Sequence, residues 1–304
     1  MPRVFEGLIP AAHTPFHADG GLNLAAVSLQ ADLYRDSGVK GVFLCGTTGE
    51  WASLAIDERR ALLERWLEVA GDDMTIATHV GHHCQSDAVA LATHAHKAGA
   101  HAVAVMAPSY FKPATVRDVV EFCAPIAAAA EPLPFYYYHI PGATGVRLSP
   151  ADVLHEARFR IPTLKGLKFS DIDPLELQRA IALDEGAFDV FLGCDEGLLA
   201  GYVFGVKGSI GATYSFTAPH FERMRAALVA GDLVQARARQ LQAALMVKTL
   251  ADFGFLAASK AVMKLIGVDC GPMRPPIASL TDSETRSLAE KLARFDVFAR
   301  PFAR

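Results

Sequence analysis

The sequence predicts an α/β fold, a (β/α)8 TIM barrel with additional C-terminal helices. Three observations carry that expectation: short apolar runs recur with helical stretches between them, glycines mark the joins, and eight such runs fit within 304 residues. Short strands alternating with helices imply a parallel sheet, and eight such units close more naturally into a barrel than they spread into an open sheet. A barrel of this type takes about 250 residues, leaving length for an appendage.

The candidate strands lie near residues 7–14, 41–45, 75–80, 102–106, 134–138, 164–169, 190–193 and 208–211. Gly38, Gly99 and Gly205 each precede a strand, where a helix would end, because glycine takes the left-handed conformation without a Cβ clash. Asn23 is placed to cap a helix running to Ser37. The amphipathic stretch 57–66 stops near Gly71. Ser149-Pro-Ala-Asp152 combines a cap residue, proline at the first helical position and an acid at the third, a good helix start. After Thr213 no strand pattern remains, and helical patterns run from Pro219 to the end, broken by Gly267, Gly271 and Pro275-Pro276. The expected organisation is a catalytic barrel over 1–225 and a helical segment over 226–304 packed on it.

Composition narrows the function classes. Hydrophobic residues make up 51% and charged residues 20%, enough for a sizeable core. The net charge of -4 and isoelectric point near 6.3 do not suit nucleic acid or an anionic membrane, which favour a basic patch. The most apolar region, 122–146, carries Glu131 and several prolines and is too interrupted to span a bilayer. The N-terminus lacks the apolar stretch of a signal peptide. Five dispersed cysteines without a CxxC read as reduced thiols. The expectation is a cytoplasmic protein.

Barrel active sites form at the C-terminal ends of strands. The polar residues there are Thr47, Thr48 and Glu50 after strand 2, Tyr110 after strand 4, Tyr138 on strand 5, Lys168 on strand 6, and Asp195 and Glu196 after strand 7. In Leu164-Lys-Gly-Leu-Lys-Phe169 the two-residue period puts Lys168 on the interior face and Lys165 outward or at the strand entrance. Most lysines are solvated, and one with a pKa near 10.4 is only about 0.04% free base at pH 7. An interior position, which strips hydration from the charge, is what would turn such an amine into a nucleophile toward a ketone.

Gly46-Thr-Thr-Gly-Glu50 can offer backbone N–H groups and two hydroxyls to a carboxylate, although the bare motif is weak and fits an ordinary βα loop better. Tyr136, Tyr137 and Tyr138 read as packing aromatics, with the phenol of Tyr138 at the strand mouth. His79, His82 and His83 lack metal-ligand spacing and neighbouring carboxylates, and no metal is expected. His94 and His96 read as solvated helix positions.

Taken together, Gly46-Thr-Thr-Gly-Glu50, Tyr138-His-Ile-Pro141 with Thr144-Gly145, Gly166-Leu-Lys168 and Gly267-Val-Asp-Cys-Gly-Pro-Met-Arg-Pro-Pro276 resemble the N-acetylneuraminate lyase and dihydrodipicolinate synthase superfamily over nearly the whole chain. The resemblance implies a barrel with extra C-terminal helices, a homotetramer, and neither metal nor organic cofactor. It implies that Lys168 forms an imine with a 2-oxo sugar acid or pyruvate, that Tyr138 relays a proton, and that Thr47 and Thr48 hold the pyruvate carboxylate. It matches Tyr110 to a tyrosine that some members insert into a neighbouring subunit's site.

Synthases acting on a dicarboxylic product place an arginine where this chain has Ala143, which weakens that reading. The stretches around Tyr138, Lys168-Phe-Ser170 and Gly193-Cys-Asp-Glu196 look like the animal-type lyases. There Gly193 belongs to the substrate site, Asp195 and Glu196 accept hydrogen bonds from the polyol tail, and Ser170 stands near the reacting hydroxyl. Ala212 departs from the lyase pattern, which has serine at that place. The resemblance therefore implies cleavage of N-acetylneuraminate. The alternatives are a Schiff-base aldolase or dehydratase acting on 2-keto-3-deoxy sugar acids, a synthase-like enzyme, a metal-dependent aldolase using the histidines, and a pyruvate-binding protein without catalysis.

Overall fold

The computed structural model describes residues 5–302. Eight strands follow in chain order: β1 (Gly7–Pro10), β2 (Gly41–Leu44), β3 (Thr75–His79), β4 (Ala102–Met106), β5 (Phe135–His139), β6 (Leu164–Phe169), β7 (Asp189–Leu192) and β8 (Gly208–Gly211). All pairings between them are parallel, in the order β1-β8-β7-β6-β5-β4-β3-β2. A parallel bridge from Ala11 to Phe43 joins the two ends, with Ala12 N donating to the Phe43 carbonyl at 3.0 Å. Closure removes the free edges that an open sheet would expose. The chain is a TIM barrel.

The helices are α1 (Ala26–Asp36), α2 (Ile56–Ala70), α3 (Gln85–Ala98), α4 (Val116–Ala129), the single turn α5 (Pro141–Thr144), α6 (Pro150–Ala157), α7 (Pro174–Ala182), α8 (Leu198–Phe204), α9 (Tyr214–Val229), α10 (Leu233–Asp252), α11 (Phe255–Leu265) and α12 (Asp282–Leu292). Each expected strand is present, most within a residue at each end; β1 stops at Pro10, four residues short of the expected end, and β5 runs on to His139, so Tyr138 is its penultimate residue. Gly38, Gly99 and Gly205 follow helices with φ of 75°, 90° and 105°, as their placement requires. Ser149 Oγ accepts from Asp152 N at 3.2 Å and caps α6. Asn23 does not cap α1. The chain bends at that point, with Asn23 N donating to the Pro15 carbonyl, and the helix starts at Ala26 without a side-chain cap.

Inside the barrel, the rings of Phe5, Tyr136 and Phe191 meet edge-on at 5.6–6.4 Å and fill the N-terminal end. Beyond α9, α10 packs along it and carries α11 and α12. Among the described residues no single helix is long and apolar enough to cross a membrane.

Candidate active site

Lys168 lies on the interior face of β6, 4% exposed, while its neighbours Leu167 and Phe169 are fully buried on the other side of the wall. Strand register sets Tyr138 beside it on β5 and Phe191 beside it on β7. Its Nζ lies 4.3 Å from the ring centroid of Tyr138 and 4.5 Å from that of Phe43. Two π faces so close attract positive charge at that nitrogen.

The Tyr138 hydroxyl is 3.3 Å from Thr47 Oγ1, which joins strand 5 to the turn after strand 2. Phe43 meets the Tyr138 ring edge-on at 5.7 Å. The turn itself is bounded by two residues in the left-handed region, Cys45 (φ 52°) and Glu50 (φ 54°). Thr14 Oγ1 donates to the Gly49 carbonyl at 2.6 Å and holds its middle; Thr48 is buried beside it. Glu50 turns away from Lys168. Its carboxylate accepts from Lys260 Nζ at 2.7 Å and from Arg274 N at 2.9 Å, and both side chains of the Glu50–Lys260 pair are almost fully buried.

Ser170 and Gly193 face each other across the ends of β6 and β7. A Cβ on Gly193 would come within 1.9 Å of Ser170 Oγ, so glycine is what lets the hydroxyl sit there, buried and without a partner in the chain. The next glycine of this kind is Gly211, where a Cβ would lie 1.6 Å from Asp195 Oδ1. Asp195 Oδ2 accepts from Thr213 N (2.9 Å) and Thr213 Oγ1 (2.6 Å), while Oδ1 is buried and unpaired. Burial outweighs those two bonds and pushes the Asp195 carboxyl up to about 6. Glu196 is exposed at the rim.

Tyr138 thus touches both Lys168 and Thr47, with Ser170, Gly193 and Asp195 on the adjoining strand ends. Tyr110 stands apart, 79% exposed and edge-on to Phe111 at 5.0 Å. The three histidines have different partners: His79 the Cys45 carbonyl, His82 Asp87, and His83 Ser109. His94 is half-buried against Glu64 at 2.8 Å rather than solvated. Sequence reasoning missed Phe43 as the second face over Lys168, and Thr213 as the partner of Asp195. The period-two alternation of β2 was a signal for Phe43; the pairing of Thr213 with a residue 18 positions earlier was not readable from spacing.

A family model described as the dihydrodipicolinate synthetase family matches residues 4–294. The N-acetylneuraminate lyase of Gallus gallus is 38% identical over 295 residues, covering 95% of this chain and 96% of that one. Among solved structures, the N-acetylneuraminate lyase (sialic acid aldolase) of Aliivibrio salmonicida superposes with a TM-score of 0.94 at 36% identity, covering 96% of this chain and 97% of that one. The N-acetylneuraminate lyase of Proteus mirabilis superposes with a TM-score of 0.94 at 32% identity, covering 96% and 99%. A match over nearly the full length, together with the shared barrel and its C-terminal helices, shows that the chain belongs to the dihydrodipicolinate synthetase family.

Proposed function

We propose that this chain is a pyruvate-dependent class I aldolase, a carbon–carbon lyase that cleaves N-acetylneuraminate to N-acetylmannosamine and pyruvate. The lyase names of its full-length relatives support the substrate. The observation that carries the chemistry is the Lys168 amine, enclosed between the rings of Tyr138 and Phe43 at 4.3 and 4.5 Å.

In this reading the free amine of Lys168 attacks the C2 ketone of the open-chain sugar acid, and water leaves to give a protonated imine. The two aromatic faces that attract an ammonium at this position attract the iminium formed on the same nitrogen. Thr47 and Thr48 hold the substrate carboxylate. Tyr138, assisted by that carboxylate, takes the proton from the C4 hydroxyl. The C3–C4 bond breaks, its electron pair passes to the imine as an enamine, and N-acetylmannosamine leaves as the aldehyde. Protonation at C3 and hydrolysis then free pyruvate and the lysine. In this reading Ser170, Gly193, Asp195 and Glu196 line the path of the sugar tail; Ser170 Oγ and Asp195 Oδ1 are buried and have no hydrogen-bond partner of their own.

Catalysis belongs to the barrel over 1–225, with 226–304 as its packed support; α9 runs across that division. We assign a homotetramer, in which the exposed Tyr110 reaches a neighbouring subunit's site, and a cytoplasmic location consistent with five unpaired cysteines.

A second reading is favoured by one residue. Ala212, 8% exposed beside Thr213, supplies no hydroxyl, and that suits a 2-keto-3-deoxy sugar acid. A coupled assay of pyruvate release from N-acetylneuraminate and from 2-keto-3-deoxygluconate decides between them. A higher kcat/KM on N-acetylneuraminate supports the first; a reversed ratio replaces it with the second.

A further inference from the structure

His79 ends β3 within the barrel wall, 1% exposed. Its Nδ1 is 2.9 Å from the Cys45 carbonyl oxygen. A carbonyl only accepts, so Nδ1 carries the proton and donates it. Nε2 is buried without a partner, and a Cβ on Gly81 would come within 2.6 Å of it. Burial first, and then the positive charges of Arg59 and Lys168, hold the imidazole well below its usual pKa. The ring is therefore neutral and fixed in one tautomer.

What surrounds this ring is the machinery of the adjacent site. Tyr138 meets it edge-on at 6.0 Å, and Trp51 does so from another side at 5.2 Å. Arg59 of α2 donates to the carbonyls of His79 and Gly81 and anchors the strand end. Cys45 occupies the left-handed region, which a residue with a Cβ avoids unless its surroundings hold it there. The residues that follow it are Gly46, Thr47 and Thr48.

We infer that His79 is a positioning residue, its Nδ1–H fixing the Cys45 carbonyl and so the Thr47–Thr48 turn while its ring backs Tyr138. It acts on the reaction through those groups and touches no reacting atom. The effect on the substrate carboxylate rests on the Lys168 reading above.

Three variants separate this role from simple packing. Asparagine sets an amide nitrogen near the place of Nδ1, glutamine sets one near that of Nε2, and phenylalanine fills the space with neither. With pyruvate and borohydride as the probe, His79→Phe and His79→Gln should raise the pyruvate concentration for half-maximal trapping about tenfold, the scale of one lost hydrogen bond. His79→Asn should stay near wild type. Without pyruvate, amide hydrogen exchange over residues 45–49 should speed up in His79→Phe and His79→Gln and not in His79→Asn. Wild-type trapping and exchange in His79→Phe would overturn the inference, as would glutamine rescuing as well as asparagine. If the phenylalanine variant does not fold, the asparagine–glutamine pair decides. If wild type itself forms no adduct, the Lys168 reading falls and the exchange comparison still settles the role of His79.

Discussion

Asp195 brings a carboxylate into a closed space and satisfies half of it. Burial raises its pKa to about 6, with Thr213 opposing and Glu196 adding to the rise. If the ionised form accepts hydrogen bonds from the sugar tail, kcat/KM should fall as pH drops through about 6. In Asp195→Asn that limb should vanish from the pH–rate profile, at a lower plateau. Stability follows the opposite sense. A folded-state pKa above the unfolded value means that the fold binds the extra proton between about 4 and 6. The stabilising contribution is complete below about 4 and is lost as pH rises through 6. Thermal melts should therefore show Asp195→Asn gaining on wild type at pH 7–8 and not at pH 4. At the neighbouring position, Ala212→Ser should lower KM for N-acetylneuraminate by about two- to tenfold, the range of one added hydrogen bond. An unchanged KM in steady-state kinetics would remove Ala212 from the specificity argument.

At the scale of elements, the C-terminal helix α11 and the segment after it hold the turn over residues 46–50 by long-range polar contacts. Lys260 of α11 reaches Glu50 and the Pro272 carbonyl, at 2.7 and 2.8 Å, and lies 4.3 Å from the Phe16 centroid. Ser259 bonds to His13 at 2.9 Å, and burial drives that histidine down to about 3, so it stays neutral. Removing one partner of a buried ion pair costs about 3–5 kcal/mol because the other charge is stranded. Lys260→Met should lower stability on that scale in urea unfolding, and adding Glu50→Gln should recover part of the loss; no recovery would mean that packing, not charge, dominates. These contacts were invisible in the sequence, since Glu50 and Lys260 are 210 positions apart. What was legible was local. Ser149 announced α6 through capping chemistry, and the glycines after α1, α3 and α8 announced strands because few residues tolerate that backbone. Asn23 carried the same kind of signal and misled, because its backbone is spent on a bend. Lys168 was legible because a two-residue period decides which side of a wall a side chain faces. His79, His82 and His83 lack metal-ligand spacing, and as neighbours at a strand end they point to different partners; the role of His79 against the Cys45 carbonyl had no signal in that spacing.

For the whole molecule, closure between Ala11 and Phe43 sets the ends of β2, β3, β5 and β6 around one amine. In the loop after β4, Tyr110 and Phe111 are 79% and 85% exposed. If they pack against a second copy, Phe111→Asp should shift the mass in light-scattering chromatography to a smaller species, and Tyr110→Phe should reduce kcat without changing it. The most direct measurement of the central claim is mass spectrometry of the protein after incubation with pyruvate and borohydride. Imine formation at Lys168 predicts one reduced pyruvate per chain, mapped to the peptide containing Lys168 and absent from Lys168→Ala. An adduct at another lysine, or none in the folded wild-type protein, would contradict it.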